Sequence, residues 1–136
     1  MASRLNPYLS FDGNAREAME FYRDVFGGEL NVMTFGDMGT EGEDAQKVMH
    51  SSLSSPGGFT LMGADTPPGQ SLERGNDVAV SLSGDDESEL TGYWERLSDG
   101  GTVAVPIEKQ MWGDTFGMCQ DRFGVTWMVN IAGAQG

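Results

Sequence analysis

Few side chains in this sequence of 136 residues can carry chemistry near neutral pH; it holds one histidine, His50, and one cysteine, Cys119. An imidazole exchanges a proton near pH 7, so His50 is a candidate general base or polar ligand anchor. A hydrogen-bonding role in the structure or in a partner contact is the leading alternative to these roles. Asp114 is the second catalytic candidate, whereas Asp121 reads as a turn former. Cys119, between Met118 and Gln120, reads as a small buried hydrophobe. One His and one Cys cannot build a zinc site of Cys and His within one chain. No Gly-x-Ser-x-Gly elbow exposes a serine nucleophile. The acidic runs Glu41-Gly42-Glu43-Asp44 and Asp85-Asp86-Glu87 lack calcium-loop spacing and read as a solvated loop and a helix start.

A second group is apolar. Met62, Trp112, Phe116, Met118, Trp127 and Met128 are aromatic or thioether side chains, in a chain with nine methionines. They are either core filling or the adaptable walls of a ligand cavity. In the second case Tyr8, Ser10, His50, Ser52 and Gln120 supply its polar groups. Tyr93 and Trp94 lie on a helical stripe and read as core.

Composition narrows the partners. Lys and Arg number 8 against 21 Asp and Glu, a net charge of −13. Nucleic acid and anionic membranes both call for a basic surface, so neither is expected. No apolar run approaches the ~18 residues of a membrane span. Met1 to Pro7 lacks the apolar core of a signal peptide. With one cysteine no internal disulfide forms, and a cytoplasmic location is expected.

The elements that would position these groups repeat. Leu5 to Phe11 reads as a strand, and Asn14 with Glu17 as a capping box. Ala15 to Phe26 follows at helical spacing and stops at Gly27-Gly28. Strands are expected over 29–35, 47–53 and 59–64, with an acidic surface loop at 36–46. The order then recurs: a strand from Asp77 to Leu82, a helix capped by Asp86 with Glu89 and striped by Leu90, Tyr93, Trp94 and Leu97, a Gly100-Gly101 stop, and strands over 102–106, 115–120 and 125–131. The glycine pairs are 73 residues apart. The openings of the last strands, Gly58-Phe59-Thr60-Leu61-Met62 and Gly124-Val125-Thr126-Trp127-Met128, are 66 apart. The longer loop of the first half absorbs the difference. The chain thus reads as one domain, with a first unit over about 4–65, a linker over 66–76 containing Pro67-Pro68-Gly69, a second unit over about 77–132, and a frayed tail at 133–136.

This duplication, with several local stretches, resembles the PhnB-like branch of the vicinal oxygen chelate superfamily. That superfamily contains glyoxalase I, fosfomycin and bleomycin resistance proteins and extradiol dioxygenases. The stretches are Pro7-Tyr8-Leu9-Ser10-Phe11 with Gly13-Asn14, Ala18 to Gly28, Val48-Met49-His50, Leu61-Met62, Pro67-Pro68-Gly69, Trp112-Gly113 with Phe116-Gly117, and Asp121-Arg122-Phe123-Gly124 before Trp127-Met128-Val129-Asn130. The resemblance implies an α+β, glyoxalase-like fold of two tandem βαβββ units in a cup-shaped, mostly antiparallel sheet. It places His50 in a strand lining the cup. It also implies a homodimer, with units paired within or across chains.

The resemblance further implies a divalent metal held by a His and a Glu from each unit. Its four positions fall on Pro7, Met62, Asp77 and Met128. Proline has no side-chain donor, and thioethers suit hard cations poorly. A vacated metal site and no cofactor are therefore expected. The demethylubiquinone methyltransferase label that some PhnB-like chains carry finds no support, since no Gly-x-Gly loop joins a strand to a helix. The expected function is a metal-poor binder of a small apolar or aromatic molecule through Tyr8, Ser10, Ser52, Met62, Trp112, Phe116, Met118, Gln120 and Met128. The alternatives are a lyase, isomerase or dioxygenase with an altered metal site built on Asp77, His50 and Asp114, and an interaction protein whose cup is filled.

Overall fold

A computed structural model describes residues 3–67 and 69–133 of the chain. The expected tail at 134–136 and Pro68 of the Pro67-Pro68-Gly69 stretch lie outside the described residues. The chain forms two compact units, Met1–Arg74 and Gly75–Gly136. The first runs β1 (Tyr8–Phe11), α1 (Ala15–Phe26), β2 (Glu29–Thr34), β3 (Val48–Ser54) and β4 (Thr60–Asp65). The second runs β5 (Val80–Gly84), α2 (Glu87–Ser98), β6 (Thr102–Lys109), β7 (Thr115–Gln120) and β8 (Thr126–Ile131). Among the described residues no helix is long and apolar enough to cross a membrane.

Each unit has its own four-stranded sheet, ordered β1-β4-β3-β2 in the first and β5-β8-β7-β6 in the second. The first strand pairs parallel with the last, and the other pairs are antiparallel. The helix carries the chain over the sheet to its far edge, and the remaining strands return by hairpins to close on the first. The duplication read from the sequence is therefore real, down to the register. Tyr8 stands opposite Met62 in one sheet and Ser81 opposite Met128 in the other. These pairs keep both sequence offsets, 73 along the first strands and 66 along the last.

The glycine pairs do more than stop helices. Gly27, Gly28 and Gly100 have positive φ, as left-handed helix ends require. A Cβ on Gly28 would overlap the Ser54 carbonyl, and one on Gly101 would overlap the Gln120 carbonyl. The second glycine of each pair thus lets the chain pass directly against the neighbouring hairpin.

The core of the first unit is the α1 face of Ala15, Ala18, Met19, Tyr22, Val25 and Phe26, packed with Leu9, Phe11, Val48, Leu53 and Leu61. Gly63 lets Met19 approach, since a Cβ there would lie 2.9 Å from its sulfur. The second unit buries Leu90, Trp94 and Leu97 of α2 with Cys119, Trp127, Val129 and Ile131.

Several expectations change. Asn14 is the residue before α1, but its side chain makes no capping bond. The cap comes from buried Asp65, whose Oδ1 accepts from the Ala15 amide (2.9 Å) and whose Oδ2 accepts from the Val48 amide (2.8 Å). Asp65 is thus the last residue of β4. Asp86 does cap α2, accepting from the Glu89 amide at 3.0 Å. The first strand begins at Tyr8, leaving Leu5 fully exposed. Asp77 is exposed and lies outside the fifth strand, which begins at Val80. By the 73-residue offset, Val80 and not Asp77 corresponds to Pro7. Strand β6 continues through Pro106 to Lys109; as an edge strand it can spare the missing N–H. The acidic loop folds into two 3-10 turns, Gly36–Met38 and Glu43–Gln46.

Asp65 makes a stability prediction. Asp65→Ala strands two buried amides and should cost about 2–4 kcal/mol in urea unfolding. Asp65→Asn keeps one acceptor oxygen and should cost roughly half as much. A change below about 0.5 kcal/mol for the alanine variant would show that water or another group satisfies both amides.

Candidate functional site

Alternation along each strand separates two faces of each sheet. In the first unit Leu9, Phe11, Ser51, Leu53 and Leu61 face α1. Tyr8, Ser10, Ser52 and Met62 take the other face, with Met62 opposite both Tyr8 and Ser52. His50 joins them by the same alternation, two residues before Ser52. Thr34 pairs with Val48 while Met33 pairs with His50, leaving Met49 as an extra residue. This bulge turns Val48 inward, to the side of Ser51 and Leu53. The Tyr8 hydroxyl lies 3.2 Å from His50 Nδ1, and the two rings stack at 5.8 Å. The contact joins the phenol to the imidazole, with the ring tautomer setting which of the two donates. The five first-unit residues expected to serve a site are therefore brought onto one face.

In the second unit Phe116, Met118 and Gln120 of β7 share a face with Met128 of β8, and Met118 stands opposite Met128. Phe116, Met118 and Met128 are half-buried. Trp127 leaves this group. It is buried on the α2 side, and its indole donates to Asp121 Oδ2 at 2.8 Å. Asp121 Oδ1 accepts from the Phe123 and Val125 amides, so the expected turn former also ties the turn to the core. Trp112 sits in the loop between β6 and β7 and is 63% exposed.

Asp114 has both oxygens engaged, one with the Asn130 amide (3.0 Å) and the other with the Gly133 N–H (2.9 Å). The bonds from Asn130, Gly133 and the Trp112 indole hold its carboxyl below the usual value. That environment fits a tie between the start of β7 and the end of β8 better than a proton acceptor. Sequence reasoning had no sign of the partner, Asn130, because it lies one strand away. Burial, with the Asp121 charge second, pushes the Cys119 thiol up to about 11, consistent with an inert hydrophobe.

The donors that a hard divalent cation needs are not in place. In register, the first and last strands offer Pro7, Tyr8 and Met62 in one unit, and Val80, Ser81 and Met128 in the other. Asp77 lies outside that strand pair. Among the described residues no three of His, Cys, Asp and Glu come together as a metal-ligand cluster. At these register positions neither an imidazole nor a carboxylate stands, unlike the His and Glu that the resemblance implied.

The sheet order and the duplicated unit together define a glyoxalase-like protein. Residues 4–129 match the glyoxalase/bleomycin resistance protein/dioxygenase superfamily, and the chain belongs to it. It is 26% identical over 144 residues to protein YjdN of Escherichia coli K12, covering 96% of this chain and 97% of that one. It is 31% identical over 132 residues to the uncharacterized protein Rv0887c of Mycobacterium tuberculosis, covering 90% and 71%. The solved structure of PA1353 from Pseudomonas aeruginosa is similar at a TM-score of 0.86 and 37% identity, covering 96% and 98%. The PhnB protein of Bacillus cereus, described provisionally as a 3-demethylubiquinone-9 3-methyltransferase, shares the fold at a TM-score of 0.74 and 22% identity, covering 96% and 100%. The fosfomycin resistance protein FosX of Mesorhizobium loti shares it at 0.60 and 11%, covering 97% and 94%.

The raised thiol pKa predicts slow alkylation. At pH 8 the native protein should react with iodoacetamide at least ten times more slowly than the urea-unfolded chain, and the rate should climb only as pH nears about 11. Mass spectrometry reads both rates; equal rates at pH 8 would place Cys119 in a solvated setting.

Proposed function

We propose that the chain is a small-molecule-binding member of the glyoxalase/bleomycin resistance superfamily that works without a bound metal. The observation that carries this reading is the strand register. Where the parallel strands meet, Met62 faces Tyr8 and Met128 faces Ser81, so thioethers stand where hard-cation ligands would be needed. Beside Met62 the first unit presents His50, Ser10 and Ser52 on its own sheet; beside Met128 the second unit separately presents Phe116, Met118 and Gln120 on its own. These are the apolar and hydrogen-bonding groups that hold an organic ligand. The enzyme alternative needs Asp77, His50 and Asp114. Asp77 lies outside its strand and Asp114 is spent on Asn130 and Gly133. In this reading His50 anchors a polar group of the ligand.

The same reading makes the protein a cytoplasmic homodimer, without nucleic acid or membrane as partner. The outer edges β2 and β6 support association, since an unpaired strand edge invites a second chain. Light scattering on a sizing column should give about twice 14.6 kDa at micromolar concentration. A single-chain mass there would remove the dimer from the proposal.

Ligand binding and metal independence share one test. A thermal-shift screen of small aromatic compounds should find molecules that raise the melting temperature equally with and without EDTA. Ser52→Phe adds a ring to the His50 face. It should abolish those shifts and leave melting of the free protein within a few degrees, because filling a real cavity avoids the ~1–3 kcal/mol of overpacking. Shifts that vanish with EDTA would overturn the metal-free reading. A large fall in melting temperature for Ser52→Phe would show that this face is already packed.

A further inference from the structure

The first unit holds a cavity of about 370 Å³ at the ends of β1 and β4. The segment after β4 builds one side of it by folding back along β1. The Thr66 amide and hydroxyl both donate to the Phe11 carbonyl, at 2.7 and 3.0 Å. Eight residues on, Arg74 donates through Nη2 to the Ser10 carbonyl, and its guanidinium lies 5.6 Å from the centre of the Phe11 ring. The segment is thus pinned at both ends to the edge strand. Pro67 and Leu72 from this segment, with Phe35, Met49 and Ala64, give the cavity an apolar body.

Its lining carries one charged group, the buried Asp65 carboxylate. Asp65 reaches the cavity, but its two oxygens are taken by the Ala15 and Val48 amides. Arg74, the nearest cation along this segment, is spent on Ser10 and Phe11 and does not line the cavity. The groups left to meet a ligand are the Ser10 and Ser71 hydroxyls, the Gln70 amide and the hydroxyl of Tyr8, which lies 3.2 Å from His50 Nδ1. Together they can both donate and accept. An anionic ligand here would lose water and meet the Asp65 carboxylate, and a cationic one would have to shed its water to reach a carboxylate already bonded to two amides, penalties that a neutral polar ligand avoids. The net charge of −13 weighs further against anions.

We propose that this cavity binds an uncharged small molecule with an apolar body and a carboxamide-like head that both donates and accepts hydrogen bonds. The inference rests on the small-molecule reading above and gives it a place and a ligand chemistry. Three probes of one apolar body separate the charge types: 2-naphthamide, 2-naphthoate and 2-naphthylmethylamine. Isothermal titration of the full chain should show the amide binding at least ten times more tightly than either charged probe. Ser71→Trp, on the returning segment, should fill the cavity and weaken the amide more than tenfold, with the melting temperature unchanged. Gln70→Leu should weaken the amide several-fold and leave an unsubstituted naphthalene body unaffected. Equal binding of naphthoate, or amide binding untouched by Ser71→Trp, overturns the proposal. Binding that survives Ser71→Trp but is lost in Ser52→Phe overturns it while sparing the broader reading, because the ligand then sits on the sheet face. No binding by any of the three probes overturns this ligand chemistry, and only a silent thermal-shift screen would take the broader reading with it.

Discussion

The buried carboxylate of Asp65 is the interaction on which the first unit turns. It closes β4, receives the free amide at the start of α1 and receives the amide of Val48 at the start of β3. One side chain thus sets helix, hairpin and parallel strand against each other. By drawing Val48 inward it also requires a correction along β3, because Ser51 and Leu53 face the helix as well. Strict alternation cannot put positions 48, 51 and 53 on one side. The bulge at Met49 resolves the conflict by turning Val48 to the helix side, while His50 keeps the parity of Ser52 and stands on the opposite face, within reach of Tyr8.

The second unit repeats the frame and changes the contents. The 66-residue offset that relates Met62 to Met128 relates His50 to Phe116 and Ser52 to Met118. It also relates Ser54 to Gln120, whose carbonyls meet Gly28 and Gly101 in the same way. What is kept between the halves is steric: a glycine where a hairpin carbonyl passes, and small or apolar side chains towards the helix. What differs is the face away from the helix, polar around a Tyr–His pair in one unit and rich in thioether and aromatic groups in the other. Duplication supplies two supports of one shape, and chemistry is assigned to each separately.

The same distinction governs how far family membership reaches. A fold hosts many functions, and function is argued from the side chains at the site. Here the shared architecture runs through residues 4–129, while the strand positions that would bind a hard cation carry proline, valine and methionine. The likeness to FosX at 11% identity is therefore a likeness of backbone.

Local rules made most of the frame legible in the sequence. Helical spacing from Ala15 to Phe26, the Asp86 cap and the two glycine pairs depend on neighbours within a few residues, so they are read without knowing the rest of the chain. The internal repeat was legible because steric demands recur at fixed offsets. Parity alone put Ser52 and His50 on one face, as both lie beyond the bulge. The remainder depended on residues far apart in sequence. Asn14 had the right type to cap α1, yet Asp65, 50 residues away, holds the amide. Trp127 had the right type for a ligand wall, yet one residue of strand parity turns it to the core and to Asp121. Asp114 looked free until the fold brought Asn130 and Gly133 to it. Pro67 to Arg74 looked like a connector, and tertiary contacts with Ser10 and Phe11 make it the wall of a cavity. Residue type and spacing determine which groups can act. Strand register and long-range hydrogen bonds decide which face they occupy and which of them are already spent, because a carboxylate or indole satisfied within the fold is no longer available to a ligand.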